Sequence, residues 1–325
     1  MMSDKVLIMM ATYNGEKFIR EQLESIIRQT YKDWNLIIQD DGSQDKTVEI
    51  IQEYIDKDSR INLVKNNSKF HGAYYNFHSL INSCKGLDNY GYYAFADQDD
   101  IWNEKKIEKL VYRLERNPDE PILLYTDMKI IDRDGNVTNE SIVNTLGLRI
   151  ANPESSFFGH QVYGCSIMMN NKLFKIVPKV DLNRKITKIL SHDNFYAKFA
   201  ASYGKLEYYD DRLVNYRRYD GNVTAKYQYN FKLSRIVKRM LNLKELGKDH
   251  ARTYKQTLET IKYIKKDNNL DIKVKVDEIE KVLLKGGISA GIFVMQNNIR
   301  WGNKIKDISH IVVLITGIYK KFLLY

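Results

Sequence analysis

The chain has 325 residues, 43% of them hydrophobic and 12% aromatic, which is enough to bury a large core and excludes a disordered polypeptide. Its two cysteines, Cys84 and Cys165, are too few and too far apart for a disulfide scaffold or a thiolate metal site, and their scarcity fits a reducing cytoplasm. The formal charge of +10 is uneven: residues 1–221 carry 30 basic and 32 acidic residues, residues 222–325 carry 21 and 9. Such a basic end suits nucleic acid, anionic lipid or an acidic partner, and charge alone does not choose among them.

In chain order, the apolar run KVLIMMA predicts a buried first strand, not a signal peptide, because it lacks a basic flank and a small-residue cleavage site. GEKFIREQLESIIRQT predicts a helix, NLIIQ a strand, DKTVEIIQEYIDK a helix and INLVKN a strand. YYAFA (92–96) and PILLYTD (121–127) continue the strands, separated by NEKKIEKLVYRLERN, whose Ile107, Leu110, Val111 and Leu114 share one helical face. This alternation predicts an α/β fold with a mainly parallel sheet. IIDRDGNVT predicts a hairpin with Asp-Gly at its turn, so the sheet becomes mixed after about residue 130. SHDNFYAKFAASYG predicts a helix that starts near Ser191 or His192 and ends at Gly204.

From about residue 225 the pattern is helical. Residues 231–243 predict an amphipathic helix, with Leu233, Ile236, Val237, Met240 and Leu241 on one face and Lys232, Arg235, Lys238 and Arg239 on the other. The last segment, DISHIVVLITGIYKKFLLY, is apolar but interrupted by two lysines and shorter than the roughly 20 apolar residues a bilayer span needs. The expected division is therefore a catalytic domain over residues 1–224 and a basic helical appendage over 225–325, serving either attachment to an anionic membrane surface or homodimerisation.

Two acidic turns follow predicted strands, where open α/β sheets form their ligand crevice. Asp97-Gln98-Asp99-Asp100 comes directly after YYAFA, and three neighbouring carboxylates repel unless a cation or a set of donors compensates them. A hard divalent ion, Mg2+ or Mn2+, takes oxygen ligands and keeps positions for phosphate. Asp40-Asp41-Gly42-Ser43 follows NLIIQ, and a carboxylate there can accept the imide N–H of uracil or thymine. Each turn alone also fits ordinary turn chemistry, a solvated acidic loop or a helix cap. Together, both at strand ends, they favour a site.

The segments ATYNGEKFIREQLESIIRQTYKDWNLIIQDDGSQDKT and FADQDDIW resemble the family 2 glycosyltransferases of the GT-A fold, over about 100 residues. The resemblance implies a nucleotide diphospho-sugar donor, with Thr12, Tyr13 and Asn14 and Asp40 or Asp41 lining the nucleoside, Asp97 near the ribose or diphosphate, and Asp99 ligating the metal. It also implies inversion at the anomeric carbon, with Asp193 of Ser191-His192-Asp193-Asn194 as the general base; as a first-turn residue Asp193 also complements a helix dipole. DQDDIW, HDNF and YRRYDGNVT are similar to the bacterial rhamnosyltransferase-like branch. That implies dTDP-L-rhamnose as donor, or another hexosyl donor such as a UDP-sugar, and a polysaccharide or lipid-linked glycan acceptor at the inner face of the cell membrane.

The sequence departs from that family pattern at Tyr216-Arg217-Arg218-Tyr219, where relatives often place a histidine able to reach the metal. Tyrosine, with a pKa near 10, is a poor ligand for a hard ion, which leaves Arg217 or Arg218 as candidates to hold phosphate charge. His160 and His192 are candidate acceptor contacts. Cys165 is expected to be a buried structural thiol. Two competing functions fit less well. A sugar nucleotidyltransferase would want a Gly-rich loop after the first strand, and a nucleic-acid-binding protein would show a binding motif; neither feature occurs.

Overall fold

In a computed structural model, which describes residues 4–117, 119–146, 152–219, 242–266, 271–302 and 304–323, the first apolar run forms β1 (Val6–Thr12). Its side chains alternate between two cores: Val6, Ile8 and Met10 enter one, Leu7 and Met9 the other. β1 pairs in parallel with β2 (Trp34–Asp40) and β4 (Tyr92–Ala96), and β2 pairs in parallel with β3 (Ile61–Lys65). Two short strands, β5 (Ile101–Trp102) and β7 (Val137–Asn139), flank the long β6 (Ile122–Ile131), and β8 (Ile167–Asn170) and β9 (Lys205–Arg217) complete the sheet. The order is β3-β2-β1-β4-β8-β6-β9-β5, with β7 paired to β6. β8 runs antiparallel to both β4 and β6, so the sheet is mixed but mainly parallel.

One face is covered by α1 (Ile19–Ile27), α2 (Thr47–Ile55), α4 (Lys106–Glu115) and α5 (Ile142–Leu146). α4 uses the stripe expected of it, burying Ile107, Leu110, Val111 and Leu114. The other face is covered by α3 (Ala73–Cys84), α6 (Asn171–Ile176) and α7 (His192–Tyr203). The Asp-Gly hairpin is present: Asp132 N donates to Asn136 O at 2.9 Å and Gly135 takes a φ of +87°, a conformation that costs other residues strain. α7 begins after Ser191 and ends at Gly204, as its sequence indicates.

α3 and β9 carry weaker signals. α3 buries Asn76 and His78 alongside Phe77, Leu80, Ile81 and Cys84, which breaks an apolar stripe. β9 is a strand of 13 residues in KLEYYDDRLVNYR, with its register against β6 shifting around Asp127, so no simple alternation marks it.

After residue 241 come α8 (Leu243–Ile264), α9 (Val276–Lys285), α10 (Ile288–Gln296) and α11 (Lys304–Thr316). They share a core with the second face of the sheet: Tyr254, Ile261, Ile279, Phe293 and Leu314 join the cluster that holds Phe95, Phe158 and Phe195. Each such apolar side chain, fully buried, contributes about 1.5–3 kcal/mol. Polar ties reinforce this packing: Thr257 Oγ1 donates to Phe157 O at 2.7 Å, Tyr203 Oη to Ile264 O at 2.7 Å, and Ser191 N to Gln256 Oε1 at 3.0 Å. The basic amphipathic helix expected at 231–243 falls on residues that, up to 241, lie outside those described, as do Asp220 to Thr224 of the YRRYDGNVT motif. Among the described residues no helix is long and apolar enough to cross a membrane.

Candidate active site

Because β2, β1 and β4 are adjacent and parallel, their carboxyl ends bring three polar loops together. Gln98 joins the first and third: its Oε1 accepts from Thr12 Oγ1 at 2.7 Å and Tyr13 N at 2.9 Å, while its Nε2 donates to Tyr13 O at 3.1 Å. A Cβ at Gly15 would come within 2.5 Å of that Oε1, so a larger residue there would push the bonded amide aside. The first and second loops meet where Asn14 N donates to Ser43 Oγ at 2.9 Å and Asn14 Oδ1 accepts from Gln44 N at 2.8 Å. Asn14 has a φ of +46°, and asparagine tolerates that left-handed conformation better than most residues. Tyr13 projects outward, 53% exposed.

Asp40 and Asp41 are both buried, and each has internal partners. Asp40 Oδ2 accepts from Gly42 N and Ser43 N, each at 2.9 Å, and its Oδ1 from Ser43 Oγ at 2.5 Å, closing the turn. Asp41 ties the turn to the following loop, accepting from Asn66 Nδ2 at 2.6 Å and Gly72 N at 2.7 Å, with His71 Nδ1 at 3.0 Å.

The Asp97–Asp100 turn is held from behind by α1 and the residues just after it, where Gln22, Ser25 and Gln29 are buried. Gln22 Nε2 donates to Asp97 O at 3.0 Å, Ser25 Oγ accepts from Trp102 N at 3.0 Å, and Gln29 binds Asn103 O and Ile107 N. Arg217 is 1% exposed and anchors the same turn. Its backbone N donates to Asp100 Oδ1 and its Nε to Asp99 O, both at 2.9 Å; Nη1 donates to Arg133 O at 2.8 Å and Nη2 pairs with Glu21 at 2.7 Å. All three guanidinium nitrogens are thus engaged inside the protein, and Arg217 does not open on the crevice. Arg218 continues the strand pairing, its N donating to Ile131 O at 2.9 Å.

The turn is short of positive charge. Burial, with the charges of Asp99 and Asp193, pushes the Asp97 carboxyl up to about 7. Burial raises Asp99 as well, against a hydrogen bond from the Tyr219 hydroxyl. Burial and its two acidic neighbours raise Asp100 well above the usual carboxylate range, and its buried Oδ2 has no donor stronger than the Cys165 thiol. The nearby Lys106 is fully buried, but its Nζ donates to Cys165 O at 2.6 Å, and burial pushes its pKa down to about 7. Cys165 Sγ lies within 4.8 Å of carboxylate oxygens of Asp97 and Asp100. Burial pushes this thiol well up, so it stays protonated. An orphaned carboxylate oxygen among hard oxygen donors fits a divalent cation of the Mg2+ or Mn2+ kind.

Asp193 sits in the first turn of α7, close enough to raise Asp97. Its Oδ1 accepts from Ser191 Oγ and Asn194 N, both at 2.6 Å; its Oδ2 accepts from Gly164 N at 3.1 Å and lies 3.6 Å from His160 Nε2. Burial alone would raise this carboxyl, but the two histidines His160 and His192 and the donors around it outweigh burial and hold it far below the usual range.

Residues 7–174 match the family model described as Glycosyl transferase family 2. The chain belongs to glycosyl transferase family 2. A glycosyltransferase of Methanocaldococcus jannaschii is 32% identical over 216 residues, 65% of this chain and 70% of its own length. The dTDP-rhamnosyl transferase RfbG of Shigella flexneri is 47% identical over 103 residues, 31% of this chain and 35% of its own length. Among solved structures, S. aureus TarS 1–349 in complex with UDP-GlcNAc superimposes with a TM-score of 0.55 at 14% identity, covering 86% of this chain and 71% of that one. The mannosyltransferase PcManGT of Pyrobaculum calidifontis, in complex with GDP-Man and Mn2+, gives 0.53 at 13% identity, covering 99% of this chain and 87% of that one. These likenesses show the GT-A fold, and the chain is a family 2 glycosyltransferase.

For this family 2 chain, the structure brings Thr12, Tyr13, Asn14, Asp40, Asp41, Asp97 and Asp99 to one edge of the sheet, with the charge of Asp193 felt at Asp97. Sequence reasoning missed Gln98, Ser43, Gln22 and the side of Asp193 occupied by His160. The hint is in polar residues, Gln22 and Ser25, at helix positions an apolar stripe would claim.

Proposed function

We propose that the chain is an inverting, divalent-metal-dependent transferase that moves a sugar, with L-rhamnose from dTDP-L-rhamnose as the best reading, onto a hydroxyl of a polysaccharide or lipid-linked glycan. The observation that carries this is the charge-deficient turn Asp97–Asp100 at the junction of three strand ends, with the ionised Asp193 within its electrostatic reach. The donor assignment rests on the 47% identity, over 103 residues, to a protein named dTDP-rhamnosyl transferase.

Asp97 and Asp99 would hold Mg2+ or Mn2+, which supplies positive charge for the diphosphate as it leaves. Thr12 to Asn14 and the Asp40–Asp41 turn would frame the nucleoside, with Tyr13 as the exposed ring. Arg217 acts indirectly, fixing the Asp99–Asp100 backbone and carboxylate, while Tyr219 orients the Asp99 carboxylate. Asp193 stays ionised and takes the acceptor proton as the hydroxyl oxygen attacks the anomeric carbon.

A second base is favoured by one contact. His160 is half-exposed and within 3.6 Å of Asp193, whose depressed pKa makes it a weak base. In that arrangement His160 receives the proton and Asp193 orients the ring and stabilises the imidazolium, as in other Asp–His pairs. Kinetics of His160→Gln against Asp193→Asn separate the two: a weak effect at His160 and a large one at Asp193 assigns the base to the carboxylate.

The donor assignment is tested by thermal stabilisation with a panel of nucleotide sugars and Mn2+, since a ligand that binds the native state raises Tm. The expected result is a metal-dependent rise with dTDP-L-rhamnose that exceeds the rise with UDP- or GDP-sugars. An equal or larger rise with a UDP-sugar overturns the rhamnose assignment, and no rise with any of them overturns the donor site.

A further inference from the structure

Helices α10 and α11 present an apolar face that nothing among the described residues covers. On α10, Ile288, Ile292 and Met295 are 72%, 49% and 70% exposed; on α11, Ile308, Val312 and Ile315 are 57%, 40% and 40% exposed. Both triplets follow the i, i+4, i+7 spacing of one helical face. The helices pack side by side, the start of α10 against the end of α11: Gly287 N donates to Leu314 O, and a Cβ at Gly291 would come within 2.8 Å of Ile315 Cδ1 and 3.9 Å of Ile311 Cγ2. The two apolar stripes are therefore neighbours, and scattered single exposures would not give this arrangement.

The rim of that face is basic. From residue 281 to the C-terminus there are seven basic residues and one acidic residue, Asp307. Asp307 is buried, accepting from Trp301 N at 2.7 Å and pairing with Arg300 at 3.3 Å, so it contributes little negative charge outside. Exposed Lys285, Lys320 and Lys321 crowd one end of the helix pair, with Lys320 Nζ donating to Lys285 O at 2.9 Å; Arg300 and Lys304 lie exposed at the other.

We propose that the α10–α11 face is a docking surface for an anionic lipid bilayer, its six apolar side chains entering the boundary between headgroups and acyl chains and the lysines at both ends engaging lipid phosphates. A second copy of this chain is the poorer occupant, since it would bring the same cationic ends against these. The docking stands independently of which donor the crevice takes. Its consequence for the active site is geometric. The connection between α10 and α11 packs on the loop that carries His160: Trp301 Nε1 donates to Phe158 O at 2.9 Å and Gln161 Nε2 to Arg300 O at 3.1 Å. Docking thus holds the loop beside Asp193 at a fixed place relative to the lipid surface.

The test is sedimentation of the full chain with vesicles of phosphatidylcholine, with and without phosphatidylglycerol, at low and high salt. Binding is expected to require phosphatidylglycerol and to fall with salt. The double variant Ile288→Asp, Met295→Asp should weaken it roughly tenfold or more, because two inserted apolar side chains are lost. Both sites are exposed, so Tm should stay unchanged. Lys320→Gln with Lys321→Gln should lessen the phosphatidylglycerol dependence. The proposal is overturned if the wild-type chain stays in the supernatant with anionic vesicles at low salt, or if the double variant binds as well as wild type. It is equally overturned if sedimentation equilibrium shows a dimer that the double variant splits into monomers in the absence of vesicle binding.

Discussion

Around Asp97 to Asp100 the protein buries acidic groups and surrounds them with fixed donors, whereas around Ile288 and Ile315 it exposes apolar groups and rims them with lysine. The first region has Gln98, Gln22 and Arg217 bonded into place, and geometry there is held by side chains distant in sequence. The second is set only by helical spacing and by the close approach at Gly291. A site that binds a small charged ligand needs preorganised groups, because each misplaced donor costs affinity; a surface that meets lipid needs area and charge of one sign. Substitutions should therefore act sharply in the first region and gradually in the second.

The largest effect is expected at Asp99. Asp99→Asn should lower turnover on the order of 10³-fold, because removing a ligand charge forfeits several kcal/mol of transition-state stabilisation. Tm should hold, since the amide keeps the volume; measured turnover close to wild type would refute the metal assignment. Next, Asp193→Asn should reduce turnover by roughly 10²–10⁴-fold with donor affinity retained. Loss of donor binding in that variant, read by titration calorimetry, would give Asp193 a donor-site or structural role instead.

Arg217→Met tests whether the preorganisation is itself costly to lose. It strips the donors from Asp99 O and Arg133 O and unpairs the half-exposed Glu21, and leaving a buried acceptor unsatisfied typically costs about 1–3 kcal/mol. Urea denaturation should show a loss in this range, and a change below about 1 kcal/mol would mean the turn is held by α1 alone.

A smaller effect concerns pH. His192 is buried, stacked on Phe77 with centroids 3.8 Å apart, and neither ring nitrogen has a hydrogen-bond partner. Burial pushes its pKa down to about 4, and burial pushes that of His78 to about 3. Unfolded histidine protonates near 6.5. Between about pH 6.5 and 4 the unfolded chain thus takes up a proton at this position that the native chain refuses. Stability falls as pH falls across that window, by up to about 3 kcal/mol for His192. His192→Leu should flatten part of the slope of Tm against pH. An unchanged slope would show that His192 is protonated in the native protein.

The same contrast explains what was legible in the sequence. Strand ends with acidic turns are local, so β1, β2, β4, α4 and α7 and the placing of Asp97, Asp99 and Asp193 could be read directly. Of the two arginines the sequence offers for phosphate, Arg217 is buried, because β9 and a partner 196 residues away, Glu21, take it into the protein. α3 and β9 escaped notice for a related reason: Asn76 is buried because it hydrogen-bonds Gln39 across the sheet, and tertiary pairing of this kind leaves no periodic trace. The sequence offers all of residues 225–325 for membrane attachment or dimerisation, while the particular exposed face at α10–α11 is apparent only once packing shows which apolar residues stay outside.

The most direct test of the central claim is to incubate the full chain with dTDP-L-rhamnose and Mn2+ and identify the nucleotide released. Free dTDP should accumulate, stop on addition of excess chelator, and be absent with Asp99→Asn. Release of pyrophosphate, or dTDP production that persists undiminished in chelator, would contradict a metal-dependent glycosyl transfer at the Asp97–Asp100 turn.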